Sequence, residues 1–281
     1  MKCFYHNDLD GQCAAAIVAK AVFGGDDFLE LIAMDYKDPV DVERIRPDEL
    51  IYIVDFSFPP PVMKAVLEKT KNVVWLDHHK TAFEYGYEVA GILDADYSGC
   101  ELAWKWFFVS AAVPLAVHLI GDYDKWALEM PWSLEFHLGL QIYPTRPLEA
   151  IWADLLVSDC DDSLALVQKI IDEGITCRKF RDAMCDDYCA AWGWETIFEG
   201  TRCFAQGIYR FGSTAFGDLI KKYVICLSYE FLGDRWIVGL YSIYVDVSEI
   251  AKKYGGGGHK GAAGFVCNEL PFKEILLGGD K

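Results

Sequence analysis

Four short apolar runs punctuate the first eighty residues, and three of them end on an ionisable side chain. Residues 2–5 run into His6, residues 50–54 into Asp55 and residues 72–76 into Asp77, while residues 28–34 form the fourth run. The runs are continuous rather than alternating. That is the pattern of strands buried on both faces, and such strands belong to parallel sheets covered by helices. Helical stretches lie between them. Residues 12–23 are alanine-rich, carry an apolar stripe at Cys13, Ile17 and Ala21, and end at Gly24-Gly25. Residues 62–69 follow Pro59-Pro60-Pro61, and proline is tolerated where a helix starts. Strand–helix alternation of this kind predicts a doubly wound sheet, whose ligands gather outside the carboxyl ends of the strands. His6, Asp55 and Asp77 stand at those ends.

Further along, residues 98–109 and 114–120 read as helices, the second delivering Asp122 after Gly121. Residues 148–192 keep helical periodicity with many acidic side chains and little punctuation beyond Gly174. From Arg202 the pattern shortens to strands at 224–227 and 236–244, and a helix at 248–253 runs into a glycine stretch. The expected organisation is α/β. Residues 1–147 form a domain around a doubly wound, mainly parallel sheet, 148–200 form a helical linker region, and 201–281 form a smaller α/β domain.

His6-Asn7-Asp8-Leu9-Asp10 offers three potential metal ligands within five residues. In an extended or loop conformation alternate side chains face the same way, so all three can converge. A two-metal hydrolytic site needs several carboxylates to hold two cations ~3.5–4 Å apart, with imidazoles at remaining positions. Taken alone the segment is equally a solvated turn, with Asp10-Gly11 as ordinary turn chemistry. Asp55, Asp77-His78-His79 and Asp122 at successive element ends weigh against that. Adjacent histidines point in different directions, so one can ligate metal while the other faces substrate. His118 and His137, in apolar helical surroundings, read as core or interface residues.

The glycine stretch at 255–264 could be a linker, but a helix and Phe265-Val266 flank it and His259 lies inside it. Glycines let a backbone approach an anion, with N–H groups forming a nest. The stretch does not fit G-x-x-x-x-G-K-[ST], which disfavours a P-loop NTPase.

Composition narrows the partners. The formal charge is −17, from 26 Lys+Arg against 43 Asp+Glu. A protein that tracks a long polyanion needs a basic path, because phosphate neutralisation supplies most non-specific affinity. None is visible, so the balance favours a short or small phosphorylated substrate held locally. No apolar run approaches the ~18–20 residues that span a bilayer, and no secretory signal precedes His6. The ten cysteines are scattered without a C-x-x-C pair. Cys185 and Cys189, four apart, lack the companions a zinc site needs, so reduced thiols acting as small hydrophobes are expected. The expected compartment is the cytoplasm.

In order, these motifs resemble those of the DHH phosphoesterases with a C-terminal DHHA1 domain. They are His6-x-Asp8-x-Asp10-Gly11, Asp55, Asp77-His78-His79, a fourth aspartate, and the Gly-Gly-Gly-His-Lys run ending in Ala262-Ala263-Gly264. The match runs from about residue 3 to 268 and is most similar to the small stand-alone members, the oligoribonucleases (nano-RNases) and exopolyphosphatase-related proteins. Where some members carry arginine before the glycines, this chain reads Tyr241-Ser242-Ile243-Tyr244. The resemblance implies two Mn²⁺ ions, with Mg²⁺ or Co²⁺ as substitutes. One would be held by His6, Asp8 and Asp55, the other by Asp10, Asp55, His78 and Asp122, with Asp124 the alternative to Asp122. Asp77 would orient a histidine, His79 would contact the scissile phosphate, and Gly256, Gly257, Gly258 and His259 would hold the substrate's far end across an interdomain cleft.

The implied activity is a 3′–5′ exonuclease of short oligonucleotides using a two-metal-activated water. The alternative is a phosphohydrolase of a cyclic or linear dinucleotide, 3′-phosphoadenosine 5′-phosphate or polyphosphate. A catalytically dead binding subunit is a third reading, against which stands the retention of every ligand position. The expected partners are a short oligonucleotide or small phosphorylated nucleotide, no long nucleic acid and no membrane, with a homodimer left open.

Overall fold

The structure, a computed structural model, describes residues 1–22, 28–36, 38–80, 82–158, 160–209 and 211–272. The expected helix stop at Gly24-Gly25 lies outside the described residues. By contacts the chain forms two compact units, Met1–Cys177 and Arg178–Lys281.

In the first unit, five strands lie in the order β2-β1-β3-β4-β5: β1 Lys2–His6, β2 Glu30–Met34, β3 Ile51–Val54, β4 Val73–Asp77 and β5 Ala90–Leu93. Every pairing is parallel. Alternate residues of each strand supply opposite faces. Cys3, Tyr5, Tyr52, Val54, Val74 and Leu76 face one core, with α1 (Leu9–Val22), α3 (Gly99–Phe107) and α4 (Leu115–Asp124). Phe4, Ile51, Ile53, Val73 and Trp75 face the other, with Met63 and Val66 of α2 (Pro60–Lys69). Helices on both faces of a parallel sheet are the doubly wound arrangement that the apolar runs predict. The strand order reverses between β1 and β3, and ligands of such sheets bind at that point.

Helices α5 (Ser133–Leu140) and α6 (Ile151–Leu155) complete this unit, with the first half of α7 (Asp161–Trp192). Gly174 does not interrupt α7. It is where α7 crosses α5, since a Cβ there would lie 1.7 Å from the Glu135 carbonyl oxygen. Helix α4 also runs four residues beyond its expected end, so Asp122 and Asp124 both sit in its last turns.

The second unit holds a six-stranded mixed sheet in the order β10-β11-β9-β8-β7-β6. Its strands are β6 Trp194–Phe198, β7 Thr201–Gln206, β8 Ile225–Phe231, β9 Trp236–Tyr241, β10 Gly257–His259 and β11 Ala262–Cys267, with short helices α8 (Leu219–Lys222) and α9 (Val247–Lys253). Strand β9 stops at Tyr241, three residues before the expected end. There Ser242 Oγ donates to the Val224 carbonyl and accepts from the amides of Tyr244 and Val245, which turns the chain. The glycine stretch differs from the expected nest. It forms an antiparallel hairpin, Gly257 to His259 against Ala262 to Gly264, with β10 as the sheet's edge strand.

Candidate metal centre

Each side chain at the sheet's carboxyl end is held by its own local structure. Asp8 begins α1, and its Oδ1 accepts from the Gly11 amide at 2.9 Å. Its other oxygen lies 2.7 Å from His6 Nδ1 at the end of β1. After β3 the backbone enters the left-handed region at Asp55, with φ +53°. That conformation is costly for a non-glycine residue and persists only where its surroundings over-determine it. Three bonds to β4 do so here. The Asp55 amide donates to the Leu76 carbonyl at 2.8 Å, Trp75 Nε1 donates to the Phe56 carbonyl at 3.0 Å, and Ser57 Oγ donates to Asp77 Oδ2.

Asp77 is fully buried. Its Oδ1 accepts from the amides of His78 and His79, at 2.8 and 3.1 Å, and lies 2.7 Å from His79 Nδ1. With the carboxylate ionised, Nδ1 carries a proton, and the bond to Asp77 outweighs burial and raises the His79 pKa, favouring the ring with both nitrogens protonated. Burial opposes that ionisation, but the bonds from His79 and Ser57 outweigh it and hold the Asp77 carboxyl below its usual range.

Asp10 is tied to a segment 88 residues away. Ser98 Oγ donates to it at 2.9 Å, and the first amides of α3, Gly99 and Cys100, at 2.6 and 3.0 Å. A helix N-terminus favours an anion there. Gly99 admits no side chain, since a Cβ would lie 2.3 Å from Asp55 Cβ and 2.9 Å from Asp10 Oδ2. Ser98 also closes α3 with a capping box to Glu101.

Among the described residues, three groups of side chains come close enough to share a cation: His6, Asp8 and Asp55; Asp55, His78 and His79; Asp10, His78 and Asp124. Asp55 and His78 each belong to two of them. His78 Nε2 is 3.1 Å from Asp55 Oδ1 and 3.3 Å from Asp124 Oδ2. The structure thus corrects the preference for Asp122. The Asp122 carboxylate accepts from the amides of Glu129 and Met130, at 3.0 and 3.3 Å, and so closes the turn after α4. Asp124, two residues on, joins the cluster. Gly256, Gly257, Gly258 and His259 belong to the other unit, on and before β10, with His259 exposed.

Sequence reading also missed the Ser98–Gly99–Cys100 cradle and Ser57. His137, expected as a core or interface residue, stacks its ring on Tyr123 with centroids 3.5 Å apart. Burial lowers its pKa to about 4, with Asp8 near enough to oppose the shift.

The electrostatics fit a cation site. Both Asp55 oxygens are buried without a hydrogen bond of good geometry, and a buried orphaned carboxylate is costly unless a positive charge sits on it. Burial, then Asp10, push the Asp55 carboxyl well above its usual range. Burial, then Asp10 and Asp55, push Asp124 to about 9. His6 is raised to about 10, because the carboxylates of Asp55 and Asp8 beside its ring outweigh burial. Among the described residues, the ion-pair partners of Asp8, Asp55 and Asp124 are all histidines.

This gives a pH prediction with a definite sign. The Asp124 and His6 values exceed their ordinary values of 3.8 and 6.5, so the metal-free fold binds more protons than the unfolded chain. Above about 6.5, where the depressed His137 no longer offsets them, these two groups make stability fall as pH rises towards 9 or 10. A cation must displace the same protons, so its affinity rises over that window. In EDTA the melting temperature should fall between pH 6 and 9, and added Mn²⁺ should raise it more at pH 9 than at pH 6. A Mn²⁺ shift independent of pH would contradict the cluster's electrostatics.

No family model matches the chain. An uncharacterized protein of Acanthamoeba polyphaga mimivirus is 26% identical over 262 residues, covering 83% of this chain and 58% of that protein. The chain therefore spans little more than half the length of this curated relative. Among solved structures, the DHH domain of a member of the s1p family of ribosomal proteins superposes with a TM-score of 0.59 at 14% identity, covering 95% of this chain and 82% of that one. Exonuclease RecJ bound to manganese gives 0.50 at 16% identity, covering 95% and 86%. The chain has the fold of the DHH-domain proteins, and its own Asp77-His78-His79 stands at the carboxyl end of β4. Among the described residues no helix is long and apolar enough to cross a membrane.

Proposed function

We propose that the chain is a metal-dependent phosphoesterase that hydrolyses short oligonucleotides from the 3′ end. The observation that carries this is Asp55, a buried carboxylate with no good hydrogen bond among the described residues, which belongs to two donor groups at the strand-order switch. His6, Asp8 and Asp55 would hold one Mn²⁺, and Asp10, Asp55, His78 and Asp124 the other. Mixed carboxylate and imidazole donors suit that ion. Bound there, the pair would supply a water deprotonated near neutral pH and charge neutralisation on the phosphoryl oxygens.

The chain's own residues do the rest. Asp77 orients His79 and favours its protonated ring, whose Nε2–H would donate to the scissile phosphate. The Ser98–Cys100 cradle holds Asp10 in place. In the second unit, β10 is the edge strand among the described residues, and its backbone together with His259 would suit the substrate's remote phosphate or nucleoside. The bound RecJ neighbour contains manganese, which supports the choice of ion.

The net charge of −17 supports a short substrate. A panel of 5′-labelled oligomers of two to about ten residues, with 3′-phosphoadenosine 5′-phosphate, a cyclic dinucleotide and polyphosphate, tests the reading under Mn²⁺. Turnover should be highest on the shortest oligomers and fall with length. Binding should depend only shallowly on salt, as one to three phosphate contacts at ~0.7 each would give. Hydrolysis of the small phosphates with none of the oligomers would replace this reading with the small-molecule one. Efficient digestion of long strands at moderate salt would count against both.

A further inference from the structure

Beside the cluster stands an aromatic ring that the proposed hydrolysis leaves unused. Tyr36 lies two residues past β2, at the same carboxyl end of the sheet as His6 and Asp55. Its ring centroid is 5.5 Å from that of His6, 6.2 Å from His79 and 5.1 Å from Phe56. Phe56 is 2% exposed and belongs to the core, whereas Tyr36 remains 57% exposed. The ring is therefore supported from the protein side by Phe56 and two imidazoles of the cluster, and open to solvent otherwise.

An aromatic surface within contact of the imidazoles that surround a reacting phosphate can serve the group joined to that phosphate. A nucleoside places its base only a few bonds from its phosphate, and every base has a face to stack. Polyphosphate and simple phosphate esters offer no such face. We propose that Tyr36 is the stacking platform for the nucleobase adjoining the reacting phosphate, which makes this centre selective for nucleotides over base-free phosphoesters. The proposal rests on the phosphoesterase reading above, and names the part of the substrate that the metal ligands cannot sense. Stacking of this kind tolerates any base, so the site would discriminate the presence of a base rather than its identity.

The test uses the full chain loaded with Mn²⁺ and four substrates: a dinucleotide, the same dinucleotide made abasic at either position, and the form abasic at both positions, which serves as the simple ester. Tyr36→Leu should lower the ratio of kcat/KM on the dinucleotide to that on the simple ester by about 10- to 100-fold, chiefly through KM. Its Mn²⁺ affinity, measured by calorimetry, should match the wild type. One of the two abasic dinucleotides should show the same loss with the wild-type chain, and no further loss with Tyr36→Leu. Tyr36→Phe should keep the wild-type ratio, because stacking needs the ring and not the hydroxyl.

The proposal is overturned if Tyr36→Leu leaves the ratio unchanged, if it weakens Mn²⁺ binding, or if Tyr36→Phe loses as much as Tyr36→Leu. It also fails alone, with the phosphoesterase reading intact, if the wild-type chain hydrolyses the simple ester but treats dinucleotide and abasic forms alike. If the wild-type chain binds Mn²⁺ and hydrolyses none of the four, the phosphoesterase reading falls and takes this proposal with it.

Discussion

Asp55→Asn is expected to leave no more than about a thousandth of the hydrolytic activity, a barrier increase of ~4 kcal/mol. The size follows from sharing. Asp55 belongs both to the group with His6 and Asp8 and to the group with His78 and His79, so its loss weakens two donor sets, whereas His6→Ala weakens one. Asparagine is the informative replacement because it tolerates the left-handed backbone that Asp55 adopts at φ +53°. The fold should survive, since the raised pKa of Asp55 marks it as a group that burial and Asp10 disfavour in charged form. The metal-free variant should therefore melt no lower than the metal-free wild type. Three measurements check this together: kcat/KM on a dinucleotide, bound Mn²⁺ per chain, and melting temperature in EDTA. Retention of more than a tenth of the activity would show that Asp55 is not shared between cations.

What the sequence disclosed about this centre follows from how each part is encoded. Strands β1, β3 and β4 are buried on both faces, so they appear as continuous apolar runs, and the polar residue that ends each run is visible at once. Strand β5 left no such trace. It has four residues, of which Ala90, Gly91 and Leu93 are exposed, so no apolar run marks it. The Ser98-x-x-Glu101 box is readable as a helix start. Its hold on Asp10, 88 residues earlier, is tertiary, and no local pattern carries it. The glycine stretch was legible as backbone that must approach something closely. That the close neighbour is β11, with β10 at a sheet edge, depends on pairing that alternation in a glycine run does not specify. Tyr36 was invisible for a related reason. An aromatic residue after a strand is ordinary, and only the ring distances to His6 and His79 show which end of the sheet it serves.

The fourth motif shows the same limit most sharply, and supplies the second large effect. Residues two apart on an α-helix point about 200° away from each other, so Asp122 and Asp124 cannot both face the cluster, and the choice depends on how far α4 runs. It runs through Asp124. Asp124→Asn is therefore expected to weaken Mn²⁺ binding and to lower kcat/KM by at least about 100-fold, ~2.7 kcal/mol. The metal-free chain should meanwhile become more stable above neutral pH, because a carboxyl whose pKa is pushed to about 9 is removed. Asp122→Asn should show the opposite pattern. An amide can accept from only one of the Glu129 and Met130 amides, and leaving the other unpaired costs about 1–3 kcal/mol of stability, while Mn²⁺ affinity should stay within a few-fold of wild type. Metal titration and thermal melts on the two variants separate ligand from turn. If Asp122→Asn strips the metal and Asp124→Asn does not, the last turn of α4 is rotated in the metal-loaded chain, and the group formed by Asp10, His78 and Asp124 is not the second cation's site.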